Sequence, residues 1–263
     1  MAQLPATERQ EPERPLDRRA RYRAQTRDEV KQIALRQIAT AGLGALSLNG
    51  VARELGVTGP ALYRYFASRD DLLAELVANA YDDLADAVEA ADASSRTADG
   101  RDRLRALAAA YRAWALAQPH RYLLLFGAPV GSGALAPERT IPAAHRTMSA
   151  LLAALDGLVA TPSGDDDRPR AGDEQPIAEL DRQLEAWLEQ RAGPRVGGPV
   201  ARLGVALWTR LHGILSLELA GHFASMGFDP ALLYAAECEA LLDQAVPRSA
   251  KTRSVRQAPP ASG

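Results

Sequence analysis

The stretch from Ser47 to Phe66, SLNGVARELGVTGPALYRYF, constrains this chain more than any other. Leu48, Val51, Ala52 and Leu55 recur at i, i+3, i+4 and i+7, which is one apolar face of a helix. Gly56 follows the last periodic residue, where a left-handed stop costs glycine least. Val57, by its apolarity, is expected as a buried corner residue. Thr58 is expected to cap a second helix through its side-chain oxygen. Pro60 lies just inside that start, where its missing N–H costs little. Leu62 and Phe66, four apart, face inward. Gly59, Ala61, Tyr63, Arg64 and Tyr65 are left for the outer surface and its rim.

That outer surface suits a DNA groove. Thr58, Gly59, Pro60 and Ala61 are small, so the backbone can come close to base edges. Tyr63 and Tyr65 can offer hydroxyls to phosphates, and Arg64 can reach a phosphate or a guanine edge. An ordinary helical corner with an incidental arginine fits the same residues. Charge supports the first reading. The net charge is −2, but residues 14–69 hold eleven Lys/Arg against four Asp/Glu, or +7, which leaves −9 for the remainder. A basic module on an acidic body fits a protein that grips phosphates at one end.

The flanks carry a resemblance. Ala34-Leu35, Gly42, Ser47, Val51-Ala52 and Leu55-Gly56-Val57 are followed by Leu62-Tyr63-Arg64-Tyr65-Phe66 and Ser68-Arg69-Asp70-Asp71-Leu72-Leu73. From about Arg23 to Leu76 the chain resembles the N-terminal DNA-binding domain of the TetR family of transcriptional regulators. Two departures stand out: Gln37 occupies a usually apolar position, and Gly59-Pro60-Ala61 replaces a start that commonly bears lysine and threonine. The resemblance implies a homodimer on double-stranded operator DNA, with the second helix of each head in a major groove. Ser47 stands at a helix start, where hydroxyl and backbone N–H can hold a phosphate. Asn49 contacts DNA by resemblance, and Arg69 is a candidate phosphate contact.

The remaining chain reads as helices separated by polar breaks, without strand-type alternation. The expected fold is all-α, with about nine to ten helices in total: an N-terminal three-helix helix-turn-helix domain and a C-terminal helical domain. The boundaries read as a disordered basic arm over 1–22, the helix-turn-helix over 23–70, the ligand-binding and dimerisation domain over 71–246, and a disordered tail over 247–263. Arg18, Arg19, Arg21 and Arg23 form the basic run of the arm, read equally as a DNA-following segment or a solubilising tail. Thr26 is expected to cap the first helix, and Ser68 with Asp71 to open the fourth in a capping-box manner. Residues 161–175 read as a polar surface loop.

A helix expected over 200–225 holds the other informative run. That helix is apolar nearly all round and so expected to be largely buried, and Trp208, His212, Leu215, Leu219 and His222 step along one of its faces. Two imidazoles and an indole there can line a small-molecule cavity, or be packed core with satisfied polar atoms. Tyr111, Trp114, Phe126, Trp208, His212 and His222 are the pocket candidates. The run from Trp208 through His212-Gly213 resembles the TetR subgroup with a Trp-His-Gly type C-terminal domain, and the Pro119–Phe126 segment with Gly127 and Pro129 matches as well. The subgroup implies a ligand-sensing domain that pairs two subunits through helices near 200–225 and 229–245, with Gly213 and Gly221 allowing close approach.

Other classes are weaker. The single Cys238 excludes an internal disulfide framework and fits a reducing cytoplasm. No run of about 18 uncharged apolar residues suggests a membrane span, and no charged start with an apolar core suggests a signal peptide. His212 and His222 are ten apart, not at the i, i+4 spacing of a metal-binding face, while His120 and His145 are isolated. Ser216 lies four after His212 without an orienting acid nearby. The expectation is a ligand-responsive transcriptional regulator that represses and is released by a small-molecule effector. No enzyme activity, cofactor or metal is expected.

Overall fold

The computed structural model describes residues 15–127, 137–159, 174–190 and 193–245. The elements in order are α1 (Pro15–Ala41), a 3-10 turn η1 (Leu43–Ala45), α2 (Leu48–Leu55), α3 (Gly59–Leu62) and α4 (Arg69–Ser95). Then come α5 (Gly100–Ala117), α6 (Pro119–Phe126), α7 (Pro137–Val159), α8 (Glu174–Gln190), α9 (Gly198–Leu219) and α10 (Pro230–Ala245). The described residues are helical with no strand, as the periodicity predicts. They fall into two compact units that divide between Leu76 and Val77, inside α4. None of the described helices is long and apolar enough to cross a membrane.

The first unit is a small helical head. Val30, Ile33, Ala34 and Ile38 of α1 meet Leu48, Val51 and Ala52 of α2, with Leu62, Phe66, Leu72, Leu73 and Leu76 closing the core. Ser47 caps α2, its hydroxyl accepting from the Gly50 N–H at 3.3 Å. Gly56 ends α2 with φ 75° and ψ 26°, the left-handed geometry that favours glycine. Ser68 and Asp71 open α4: the Ser68 hydroxyl accepts from the Asp71 N–H at 3.0 Å, and the Asp71 carboxylate accepts from the Ala67 N–H at 3.1 Å.

Four expectations for the head are corrected. Val57 is exposed, because the left-handed Gly56 turns the next side chain outward. The Thr58 hydroxyl makes no cap; its carbonyl instead accepts from the Ala61 and Leu62 N–H groups. Thr26 is no cap either. It is buried within α1, and its hydroxyl donates to the Tyr22 carbonyl one turn back at 2.9 Å. Since α1 starts at Pro15, Arg18, Arg19, Arg21 and Arg23 belong to a helix rather than to an extended arm. Proline suits a first helical turn, and arginine and alanine extend it well. Residues 1–14, the loop over 161–173 and the tail from 246 lie outside the described residues.

The second unit is built round α9, which packs against α5, α7, α8 and α10. Leu104, Leu107, Trp114, Tyr122, Leu155, Leu211, Leu215, Tyr234 and Leu241 are among its buried side chains. Two expectations for α9 are corrected. It ends at Leu219, where Gly221 at φ 76° breaks the helix, so His222 and Phe223 lie in the following turn. It is also not buried all round, since Trp208, Thr209, Arg210 and Leu217 are exposed.

Glycine sets the contact of α9 with α8. A Cβ at Gly198 would lie 2.4 Å from the Asp181 Cβ and 2.9 Å from its Cα, and the Gly198 N–H donates to Glu185 at 2.5 Å. Gly198→Ala is therefore expected to destabilise the fold by about 1–3 kcal/mol through overpacking. Gly157→Ala in α7, whose Cβ meets nothing within 4 Å, serves as the control. Urea unfolding followed by circular dichroism checks both.

Candidate DNA-binding face and ligand cavity

The head presents one outward face. Leu62 and Phe66 are fully buried, so the turn between them carries Tyr63 and Arg64 outward. Tyr63 is 51% exposed, and Tyr65 is half-buried. Ser47, Asn49, Thr58 and Pro60 are exposed, with Gly59 and Ala61 half-buried beside them. Asn49 of α2 reaches the start of α3, since a Cβ at Gly59 would stand 3.3 Å from its Oδ1. A residue larger than glycine there would shift the Asn49 side chain by a few tenths of an ångström.

The departure at Gln37 has a local reason. Gln37 of α1 accepts from the Ser47 N–H at 3.3 Å through its side-chain oxygen. It lies beside Gly50, where an added Cβ would come within 3.1 Å of its Nε2. Gln37 thus ties α1 to the start of α2 with a hydrogen bond in place of apolar packing.

Several basic residues are engaged within the head. Arg27 donates to the Tyr65 carbonyl and to Glu75, and its guanidinium lies 4.3 Å from the Phe66 ring centroid. Lys31 pairs with Asp28 at 2.7 Å and Glu75 at 3.5 Å. Arg23 donates to the Arg64 carbonyl at 3.2 Å, and Arg36 pairs with Glu54 at 2.8 Å. Arg69, expected on a phosphate, is engaged within the head. Its Nε donates to the Leu46 carbonyl at 3.0 Å and its Nη2 to the Leu43 carbonyl at 2.8 Å, while Asp70 lies 3.6 Å from Nη1. Arg69 holds η1 and the approach to α2 in place.

The guanidiniums of Arg53 and Arg64 have no partner among the described residues. Arg53 is missing from the expected site residues. Its signal was present in the sequence: it stands four residues after Asn49, so both share one face of α2. Ser47, Asn49, Arg53, Thr58, Tyr63 and Arg64 are exposed polar or charged groups on this face.

In the second unit a cavity of about 450 Å³ opens among α4, α5, α6, α7, α8 and α9. Tyr111, Phe126 and Trp208 line it. Trp114, His212 and His222 do not. Trp114 is buried, its indole N–H donating to Asp83 at 3.0 Å. His222 is exposed in the turn after α9. His212 stands behind the wall, stacked between Trp208 and Tyr122 with ring centroids 5.6 Å apart on each side. Its Nδ1 lies 2.9 Å from the Tyr122 hydroxyl and 3.2 Å from that of Tyr111. The Tyr122 hydroxyl also lies 2.9 Å from Ser216 Oγ. His212 therefore orients the cavity wall through Tyr111 and Trp208.

Sequence reasoning missed Tyr81, His145, Thr147, Met148, Leu184 and Trp187, which also line the cavity. His145 had looked isolated, yet its ring meets Trp187 edge to face at 6.2 Å. These residues come from α4, α7 and α8, and no spacing within one segment brings them together.

Burial lowers the pKa of His212 below the usual imidazole value of 6.5 and raises those of Tyr81, Tyr111 and Tyr122. The neutral imidazole is therefore the form the fold holds. Its stabilisation is complete above 6.5, the unfolded value, and is lost as pH falls below it, because only the unfolded chain then takes up the proton. Thermal unfolding from pH 8 to pH 5 is expected to show a falling midpoint in the parent and a flatter one in His212→Gln.

Comparison with known proteins agrees with the two-unit reading. Residues 32–76 match the model of bacterial regulatory proteins of the tetR family, and residues 104–241 match the tetracyclin repressor-like C-terminal domain. The chain is 33% identical over 221 residues to the HTH-type transcriptional regulators Mb1846 of Mycobacterium bovis and Rv1816 of Mycobacterium tuberculosis, covering 84% of this chain and 92% of each relative. The structure of the protein SCO4313 superposes with a TM-score of 0.69 at 44% identity, covering 85% of this chain and 98% of that one. The TetR family regulator PfmR from Thermus thermophilus shares the fold, with a TM-score of 0.52 at 20% identity over 81% of this chain and 96% of that one. These relatives are regulators of transcription and not enzymes. The chain belongs to the TetR family of DNA-binding transcriptional regulators.

Proposed function

We propose that this regulator represses transcription as a homodimer on a pseudo-palindromic operator and leaves it when a small molecule fills the cavity of the second unit. The observation that carries the DNA contact is the outward face of the head. Tyr63 and Arg64 stand exposed directly beside the buried Leu62 and Phe66, with Asn49 and Arg53 on the adjoining helix. Tyr63 and Arg53 serve as phosphate contacts that fix register, and Asn49 and Arg64 reach base edges. Ser47, Thr58, Gly59, Pro60 and Ala61 let the backbone come close, Tyr65 sits at the rim, and Arg69 acts only by positioning.

Pairing of two subunits is supported by unfilled apolar surface on α9 and α10. Leu217 is 45% exposed and Leu232 is 70% exposed, and Ala220, Ala235, Ala236 and Ala240 are exposed near them in sequence. Gly213 leaves open space on α9 into which a second helix can pack. Two heads held this way address half-sites about one helical turn apart, or a multiple. The helix α4 runs from the head into the second unit without a break, so a ligand that changes its tilt changes the head spacing. The effect is bounded by the ligand's differential affinity for the two states.

Fluorescence anisotropy with DNA from upstream of the gene tests the reading. Binding above that to random duplex is expected, falling steeply with salt because phosphate contacts release counterions. Affinity no better than for random DNA, or a flat salt dependence, overturns it. Tyr63→Ala should weaken all sequences alike, by roughly tenfold for a lost phosphate contact, without altering the melting curve. Leu217→Glu together with Leu232→Glu should yield a folded monomer by sedimentation and abolish operator binding.

A further inference from the structure

We infer that the cavity of the second unit takes an uncharged, largely apolar molecule. The inference deepens the proposed ligand response and rests on it. The cavity volume of about 450 Å³ leaves room for about fifteen water-sized groups at roughly 30 Å³ each. Among the described lining residues there is no Lys, Arg, Asp or Glu. A charged ligand would lose its hydration without meeting a counter-charge, which disfavours it strongly. The walls are aliphatic, with Leu107, Met148, Leu151 and Leu184, and aromatic, with Trp187 and Trp208. Such surface rewards hydrocarbon and rings.

The test uses the full chain and N-phenyl-1-naphthylamine, an uncharged apolar fluorophore, displaced by a series of equal chain length at pH 7.5. Saturable binding of the fluorophore is expected. 1-Decanol and 2-decanone should displace it at concentrations about tenfold or more below decanoate and decylammonium, since only the latter pair bury a charge. Leu151→Trp, with unchanged helical circular dichroism, should lose the fluorophore. Absence of saturable binding, equal displacement by the charged compounds, or parent-like binding to Leu151→Trp each overturns the inference. Operator release, measured alongside, separates the two readings. Charged compounds that displace the fluorophore and release DNA overturn the ligand class but keep the response. Neutral compounds that bind and leave the DNA complex untouched overturn the response but keep the site.

Discussion

Arg27 reaches from α1 to the carbonyl of Tyr65, the carboxylate of Glu75 and the face of Phe66, and the outward face of the head depends on that reach. The α3 segment spans only Gly59–Leu62. So short a helix does not sustain itself, because the nucleation cost exceeds what one or two hydrogen bonds return. It is held from below by Leu62 and Phe66 in the core and from its far end by Arg23 and Arg27, which satisfy the Arg64 and Tyr65 carbonyls. Cations at the carbonyl end of a helix complement its dipole as well as its open acceptors.

The same accounting explains why a basic segment does not translate directly into a basic face. The excess of +7 over residues 14–69 is real, but Arg23, Arg27, Lys31, Arg36 and Arg69 are engaged by carbonyls or carboxylates of the head. Arg18, Arg19, Arg53 and Arg64 remain without partners among the described residues. Much of the charge therefore builds the scaffold that aims a few groups. The lysine- and threonine-poor start of α3 makes those groups matter more, because Gly59, Pro60 and Ala61 offer backbone proximity and little hydrogen bonding of their own.

In the second unit α9 serves several surfaces at once. Leu207 and Leu211 line the cavity, Leu215 fills the core, and Leu217 faces solvent. His212 sits where these meet, neutral by burial and shared between two tyrosine hydroxyls and two aromatic faces. A charged imidazole would lose that environment, so the residue is better understood as a rigid strut behind the wall than as a ligand contact.

Much of this was legible in the residues. Helical period placed Leu48, Val51, Ala52, Leu62 and Phe66 inward, Gly56 marked the left-handed stop, and Ser68 with Asp71 marked the start of α4, because each depends on neighbours within a turn or two. Reading failed where the deciding partner lies far along the chain. Arg69 looked free until the Leu43 and Leu46 carbonyls met it, and Thr26 looked like a cap until α1 proved to begin eleven residues earlier. His145 and Thr147 looked unremarkable until α8 and α9 folded over them. Local periodicity and capping chemistry determined the helices and the outward turn of the head. Only the tertiary structure decided which cations stay free and which side chains enclose the cavity, since both depend on contacts between segments widely separated in sequence.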